Sequence, residues 1–197
     1  GINFKKLPDE AFDNDIVGEY TGAGVIFGVT GGVMEAALRT AHFVLTGKEH
    51  EAVKFEAVRG FDGIKEASLD LNGMTVNVAI AHGMKNAKVL LDQIRAGESK
   101  YHFIEIMGCP GGCINGGGQP YVRECFLPNE DIDIMDTYIQ KRAQALYSED
   151  EAQTIRQSHN NPQIKALYDE FLGEPNSHKA HELLHTHYGA RTPFPEK

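Results

Sequence analysis

Apolar and polar positions change period along the chain, and the changes mark its elements. Residues 1–19 are polar and irregular, and read as a connection arriving from elsewhere. Residues 21–28 are small and apolar, which predicts a short strand or a buried turn. From Thr30-Gly31-Gly32 onward, Val33, Ala36, Ala37, Leu38, Ala41 and Val44 recur at helical spacing. A helix is expected to about Thr46, with Gly47 just past its end. Residues 54–58 alternate like a strand, and so do 66–71 and 74–82. The last two runs flank Asn72-Gly73, a strong short-range hairpin signal. Residues 86–95 predict a helix with Val89, Leu90 and Ile94 inward, and 102–107 a strand that runs straight into Cys109.

After Pro128 the pattern becomes helical. Residues 131–147 place Ile134, Tyr138, Ala145 and Leu146 on one side. Pro162 suits the first turn of a helix reaching Leu172, and Ser177 can cap another running to His187. Residues 189–195 read as a loop. The expected class is α/β, a mixed sheet flanked by helices, with a helical C-terminal appendage. The expected boundary separates residues 1–128 from 129–197.

Composition narrows the partners. The 197 residues are 41% hydrophobic and 24% charged, enough for one domain, or a domain with an appendage, around a real core. No apolar run approaches the length of a membrane span. A net charge of −9 argues against nucleic acid or anionic lipid as the main partner. The start of the chain shows no secretory apolar segment, and a cytoplasmic setting is the expectation. Three cysteines, two of them four apart, do not form a disulfide framework and point to a metal or redox site.

The chemistry concentrates in residues 105–120, Glu-Ile-Met-Gly-Cys-Pro-Gly-Gly-Cys-Ile-Asn-Gly-Gly-Gly-Gln-Pro. Glycines around Cys109 and Cys113 free the backbone to take positive φ and to approach a ligand closely. Backbone N–H groups in such a loop point at anions, and cluster sulfides and thiolates are anionic. Cys-x3-Cys is not zinc spacing, and no second pair stands at zinc-ribbon distance. A cubane iron–sulfur cluster normally takes four thiolates. Cys125 sits in a strand-like run without glycine and reads as a buried, dispensable thiol. The remaining thiolates must then come from polypeptide outside this sequence. A glycine-rich surface turn with incidental thiols is the bland alternative. A redox dithiol is another, though proline after the first cysteine offers no recognised activation. Gly22-x-Gly24-x3-Gly28 lacks the spacing of a dinucleotide fingerprint.

The Cys-Pro-Gly-Gly-Cys-x-x-Gly-Gly-Gly-Gln-Pro string, preceded by Glu-x-Met, resembles the third signature of the iron-only (FeFe) hydrogenases. The resemblance implies that Cys109 ligates the four-iron cubane of the H-cluster. It makes Cys113 both a cubane ligand and the bridge to a di-iron subcluster, and sets Met107 beside that unit. Cys113 and Met107 are thus the candidate catalytic residues. Residues 24–36 resemble the family stretch that lines the di-iron pocket, which nominates Phe27 and Val33; residue chemistry alone would make both core packing. The amides of Gly116, Gly117 and Gly118 are candidate donors to cluster sulfur. His159-x-Asn161-Pro162, Leu167-Tyr168, Phe171-Leu172-Gly173 and His181-x3-His185-Thr186-x-Tyr188 resemble the family's small-subunit segment. That family places no metal there, so His178, His181, His185 and His187 are expected to pack and cap.

The implied activity is reversible oxidation of dihydrogen to protons and electrons. The first two family signatures, with the other cubane cysteines, are absent from this sequence. They are expected on a preceding stretch of polypeptide or on a separate subunit, and the chain alone is not expected to turn over hydrogen. The electron carrier would be ferredoxin or an NAD(P)H-linked subunit. The rival within the resemblance is a non-catalytic hydrogenase-like protein that binds or assembles iron–sulfur clusters.

Overall fold

In the computed structural model, Asn72 and Gly73 both take positive φ, 58° and 81°, and turn the chain into the expected hairpin. β1 (Ile64–Leu71) pairs antiparallel with β2 (Met74–His82), Leu71 facing Met74 across the turn. α3 (Met84–Ala96) then carries the chain to β3 (Phe103–Met107), which pairs parallel with β2 and sets Met107 opposite His82. The result is a mixed sheet of order β1-β2-β3. The structure describes residues 1–11, 18–49, 58–120 and 138–190. The strand expected at 54–58, the start of the helix expected from 131, Cys125 and the end of the tail lie mostly or wholly outside those residues.

The central strand shows why the sheet is covered on both faces. Val78 and Ile80 point one way and pack with Met34 and Leu38 of α2 (Gly32–Thr46). Ala79 and Ala81 point the other way and pack with Leu90 of α3. Residues 78–82 are therefore buried without a break, as a strand between two helix layers requires. This is the α/β class that the pattern predicts.

Several helix faces differ from expectation. Of the two alternatives for 21–28, the buried turn is found and the strand is not: the segment forms two short helical turns, α1 (Gly22–Val25) and a 3-10 turn (Ile26–Gly28). The Thr21 hydroxyl caps the first of them, and the N–H groups of Gly22 and Ala23 donate to the carbonyls of Ile155 and Arg156. With those donors satisfied, no sheet neighbour is needed. In α3 Leu90 is buried, but Val89 is exposed and Ile94 reaches an open groove beside Tyr101, Phe103 and Ile104. In α2 Val44 is exposed, and the buried face instead includes Glu35 and Arg39. In α4 (Gln140–Ala152) Ala145 is exposed; the inward stripe runs Ile139, Ala143, Leu146 and Tyr147, and ends on Asp150.

The chain divides into two compact units, Glu19–Asn161 and Gly1–Gly18 with Pro162–Lys197. The second holds α5 (Pro162–Leu167), a π turn (Tyr168–Leu172) and α6 (His178–Leu184). Ser177 caps α6 as expected, its hydroxyl accepting from the Ala180 N–H at 3.2 Å. α6 stops at Leu184, short of His187. His178, His181, His185 and His187 are all exposed, so they are surface residues and not packing ones. His181 and His185 stack on each other with centroids 4.3 Å apart. Among the described residues no group of three metal-ligating side chains is poised to hold a metal ion, and no helix is long and apolar enough to cross a membrane.

Candidate iron–sulfur site

Met107 ends β3 and Cys109 follows two residues later, so the thiol turn starts at the carboxyl end of two parallel strands. Sites in open α/β sheets form in such places. Residues 109–112 then make a tight turn in which the Gly112 N–H donates to the Cys109 carbonyl at 3.0 Å. Pro110 and Gly111 suit its central positions: proline presets a negative φ, and Gly111 takes φ 79°. Gly112 follows at φ 95° and ψ −160°, a region in which essentially only glycine is found. A Cβ there would stand 2.8 Å from the Gly28 carbonyl oxygen, the Met107 sulfur and the Thr30 nitrogen alike. A 3-10 turn (Cys113–Asn115) closes with the Gly116 N–H donating to the Cys113 carbonyl.

Both thiols are exposed. Ile114, between them and the glycine run, is buried with Val29, Ile139 and Ala143 and pins the loop to the core. Cys109 Sγ lies 3.8 Å from where a Cβ on Gly116 would stand, so the glycine leaves the sulfur's flank bare. Gly117 and Gly118 are exposed, with nothing within 4 Å of an added Cβ. The Gly116 N–H is already engaged by Cys113, which leaves Gly117 and Gly118 as the better amide donors of the three. Met107 and Val33 are half-buried and Phe27 is 46% exposed. The contact of Gly112 with Gly28 and Thr30 places Phe27, one residue before Gly28, in the segment against which the thiol turn packs.

Four polar residues that pattern reading passes over hold this arrangement. Glu105, buried in β3, accepts from the N–H groups of Gly31 at 2.6 Å and Met34 at 2.7 Å. It caps α2 from 71 and 74 residues away, where Gly31 itself offers no side-chain cap. His82 accepts from the Gly111 N–H and faces the Phe61 carbonyl. Arg142 of α4 donates to the carbonyls of Ile114 at 2.9 Å and Pro120 at 2.8 Å, at the two ends of the glycine run. Lys65 donates to the carbonyls of Val58 and Gly60 and, more loosely, of Thr30. The one signal in sequence was Glu105, a lone charge in an apolar strand. The others bond to backbone groups that no side-chain pattern marks.

Lys65 gives the site a pH signature. Burial pushes its ammonium from 10.5 down to about 8, against the pull of Glu105 and Asp62. Between those values the unfolded chain holds a proton that the folded chain has released, so stability rises with pH across the window and is lost as pH falls through 8. The increment is at most about 3 kcal/mol. Urea melts from pH 7.5 to 10.5 should show this rise in the wild type and a flatter profile in Lys65→Met. Parallel profiles would refute the assignment.

Residues 1–117 match the family model for the iron-only hydrogenase large subunit, C-terminal domain, and residues 136–191 match the iron hydrogenase small subunit. The chain belongs to the iron-only hydrogenase family. The NADP-reducing hydrogenase subunit HndD of Solidesulfovibrio fructosivorans is 50% identical over 190 residues, covering 96% of this chain and 30% of that one. A solved structure of a HydA1 FeFe hydrogenase variant from Chlamydomonas reinhardtii superposes with a TM-score of 0.64 at 44% identity, covering 95% of this chain and 51% of that one. Protein NAR1 of Arabidopsis thaliana is 32% identical over 193 residues, covering 95% of this chain and 38% of that one. This hydrogenase-family chain therefore spans under two fifths of these curated relatives. The family binds iron–sulfur clusters, and the exposed thiols on a bare glycine turn fit half of a four-thiolate set.

Proposed function

We propose that this chain is the C-terminal part of an iron-only hydrogenase catalytic core and supplies Cys109 and Cys113 to its H-cluster. The observation that supports it is the pair of exposed thiols on a glycine turn beside Met107, in a chain 50% identical to a hydrogenase subunit. When bound, the cluster supplies the iron at which dihydrogen is split or formed and the store for its electrons. The chain's own residues do the rest. Cys109 and Cys113 would hold the cluster through their sulfurs, and Cys113 would hold both of its parts. Met107, Phe27 and Val33 exclude water from that side, and the Gly117 and Gly118 amides offer hydrogen bonds to sulfur. The other two thiolates come from the N-terminal part of the hydrogenase or a subunit carrying it. Electrons pass to ferredoxin or to an NAD(P)H-linked subunit.

The second reading is a cluster-binding protein without hydrogen chemistry. The similarity to NAR1 over 95% of the chain favours it, since cytosolic iron–sulfur assembly proteins also appear among the relatives. Substituting each cysteine in the complete enzyme separates the two. Cys113→Ala should abolish turnover and the infrared signal of the di-iron unit. Cys109→Ala should chiefly lower cubane iron and its paramagnetic signal. A wild type that, fully matured, shows only a cubane would transfer the protein to the second reading.

A further inference from the structure

Gly111 is held through both of its peptide groups. Its carbonyl accepts from the Thr30 N–H at 3.0 Å, and its N–H donates to His82 Nδ1 at 3.3 Å. Nε2 of the same imidazole stands 3.0 Å from the Phe61 carbonyl. The partners decide the tautomer. A carbonyl can only accept, so Nε2 carries the proton; a backbone N–H can only donate, so Nδ1 is bare. His82 is 7% exposed, ends β2 opposite Met107, and its own backbone N–H donates to Gly63. The ring is thus fixed at its base by the sheet and at its far edge by Phe61. Its remaining nitrogen meets the residue midway between the two cysteines.

We propose that His82 is a positioning residue for the thiol turn: as the Nε2–H tautomer it holds the Gly111 N–H and so sets the relation between Cys109 and Cys113. Their relation to each other depends on the 109–112 turn. That turn is also restrained by the bond between the Gly112 N–H and the Cys109 carbonyl within it, and by the Thr30 N–H on the Gly111 carbonyl from outside. Without His82 the Pro110–Gly111 peptide loses the acceptor of its N–H and can rotate about the Pro110 ψ and Gly111 φ torsions, since the Thr30 bond holds only the next peptide's carbonyl, and the thiols lose their common orientation. The assignment rests on reading both cysteines as cluster ligands, since only then does their relative placement matter to function.

Two side chains of similar reach divide the ring's functions. Asparagine places an acceptor oxygen near the position of Nδ1 but cannot reach Phe61. Glutamine can place a donor near Nε2 but leaves the Gly111 N–H without its acceptor. The experiment is amide hydrogen exchange at Gly111, with peptide-resolved iodoacetamide alkylation of Cys109 and Cys113, on the metal-free 197-residue chain. In His82→Gln and His82→Leu, Gly111 exchange should quicken about tenfold, and the ratio of the two alkylation rates should change. In His82→Asn both should stay within about threefold of wild type. The complete hydrogenase carrying His82→Asn should keep its cluster iron, and that carrying His82→Gln should lose part of it. Rescue by glutamine and not by asparagine would overturn the proposal, because the tether to Phe61 would then be the role. Unfolding of both amide variants, or exchange at Gly111 indifferent to all three, would overturn it as well. The metal-free readouts are independent of the hydrogenase reading, which fails instead on the cluster signals of matured wild type.

Discussion

Asp150→Asn should lower the stability of this chain by about 3–5 kcal/mol, a large share of what a domain of this size possesses. Asp150 is fully buried and grips the Arg39 guanidinium with both oxygens at 2.8 Å. Arg156 adds a contact at 2.6 Å. Arg39 in turn meets Glu35, which also holds Arg59 through two bonds of 2.7 and 2.8 Å. The five side chains alternate in sign, three guanidiniums against two carboxylates, and tie α2 to α4. An amide in place of the carboxylate leaves Arg39 buried with one charged partner, and an unpaired buried charge costs far more than the pair itself is worth. Arg39→Met combined with Asp150→Leu should therefore recover much of the loss, since Glu35 keeps Arg59. Acid should act in the same direction. Burial alone would raise the Asp150 carboxyl, but the hydrogen bonds and charges of Arg39 and Arg156 hold it below the ordinary 3.8. Its contribution is present above that unfolded value and is lost as pH falls through the lower folded one. Chemical denaturation of Arg39→Met, of Asp150→Leu and of the double gives the coupling. Simple additivity would show that the buried pair is not a unit.

Gly112→Ala should be nearly as damaging to the fold, by roughly 2–4 kcal/mol, and should cost the complete enzyme its cluster iron. Three atoms already stand 2.8 Å from the position of the new methyl group, two of them backbone. The backbone angles at Gly112 also exclude an L side chain, so relief by a local shift would flatten the turn that carries both thiols. Gly108→Ala is the control, because an added Cβ there meets nothing within 4 Å and no positive φ is involved. Melting curves together with iron per chain measure both consequences. A Gly112→Ala protein with wild-type stability and iron would show that the turn does not need this geometry.

What the sequence made legible was what neighbouring residues decide among themselves. The Asn72-Gly73 hairpin and the Gly47 helix end are local chemistry, and each stands where the pattern put it. The loop of Cys109 and Cys113 is contiguous as well, and it follows the end of a strand as the pattern has it. The buried side of α2 could not. Glu35 and Arg39 look like an ordinary exposed i,i+4 pair, and only Asp150, 111 residues beyond Arg39, makes that face interior. Residues 21–28 read as either a short strand or a buried turn because they are small and apolar, and only the segment 155–156, which accepts the Gly22 and Ala23 N–H groups, decides for the turn. Glu105, His82 and Arg142 bond to backbone at sequence separations of 21 to 74. No periodicity along a chain reports a partner of that kind.

The Arg142 clamp also has an order in time. Arg142 follows Ile114 by 28 residues and is supplied by the stretch that matches the small subunit. On the ribosome the thiol turn is therefore translated first, and the guanidinium that bridges the Ile114 and Pro120 carbonyls arrives last. Until those residues are in place, the turn of Cys109 and Cys113 has one of its anchors still unmade.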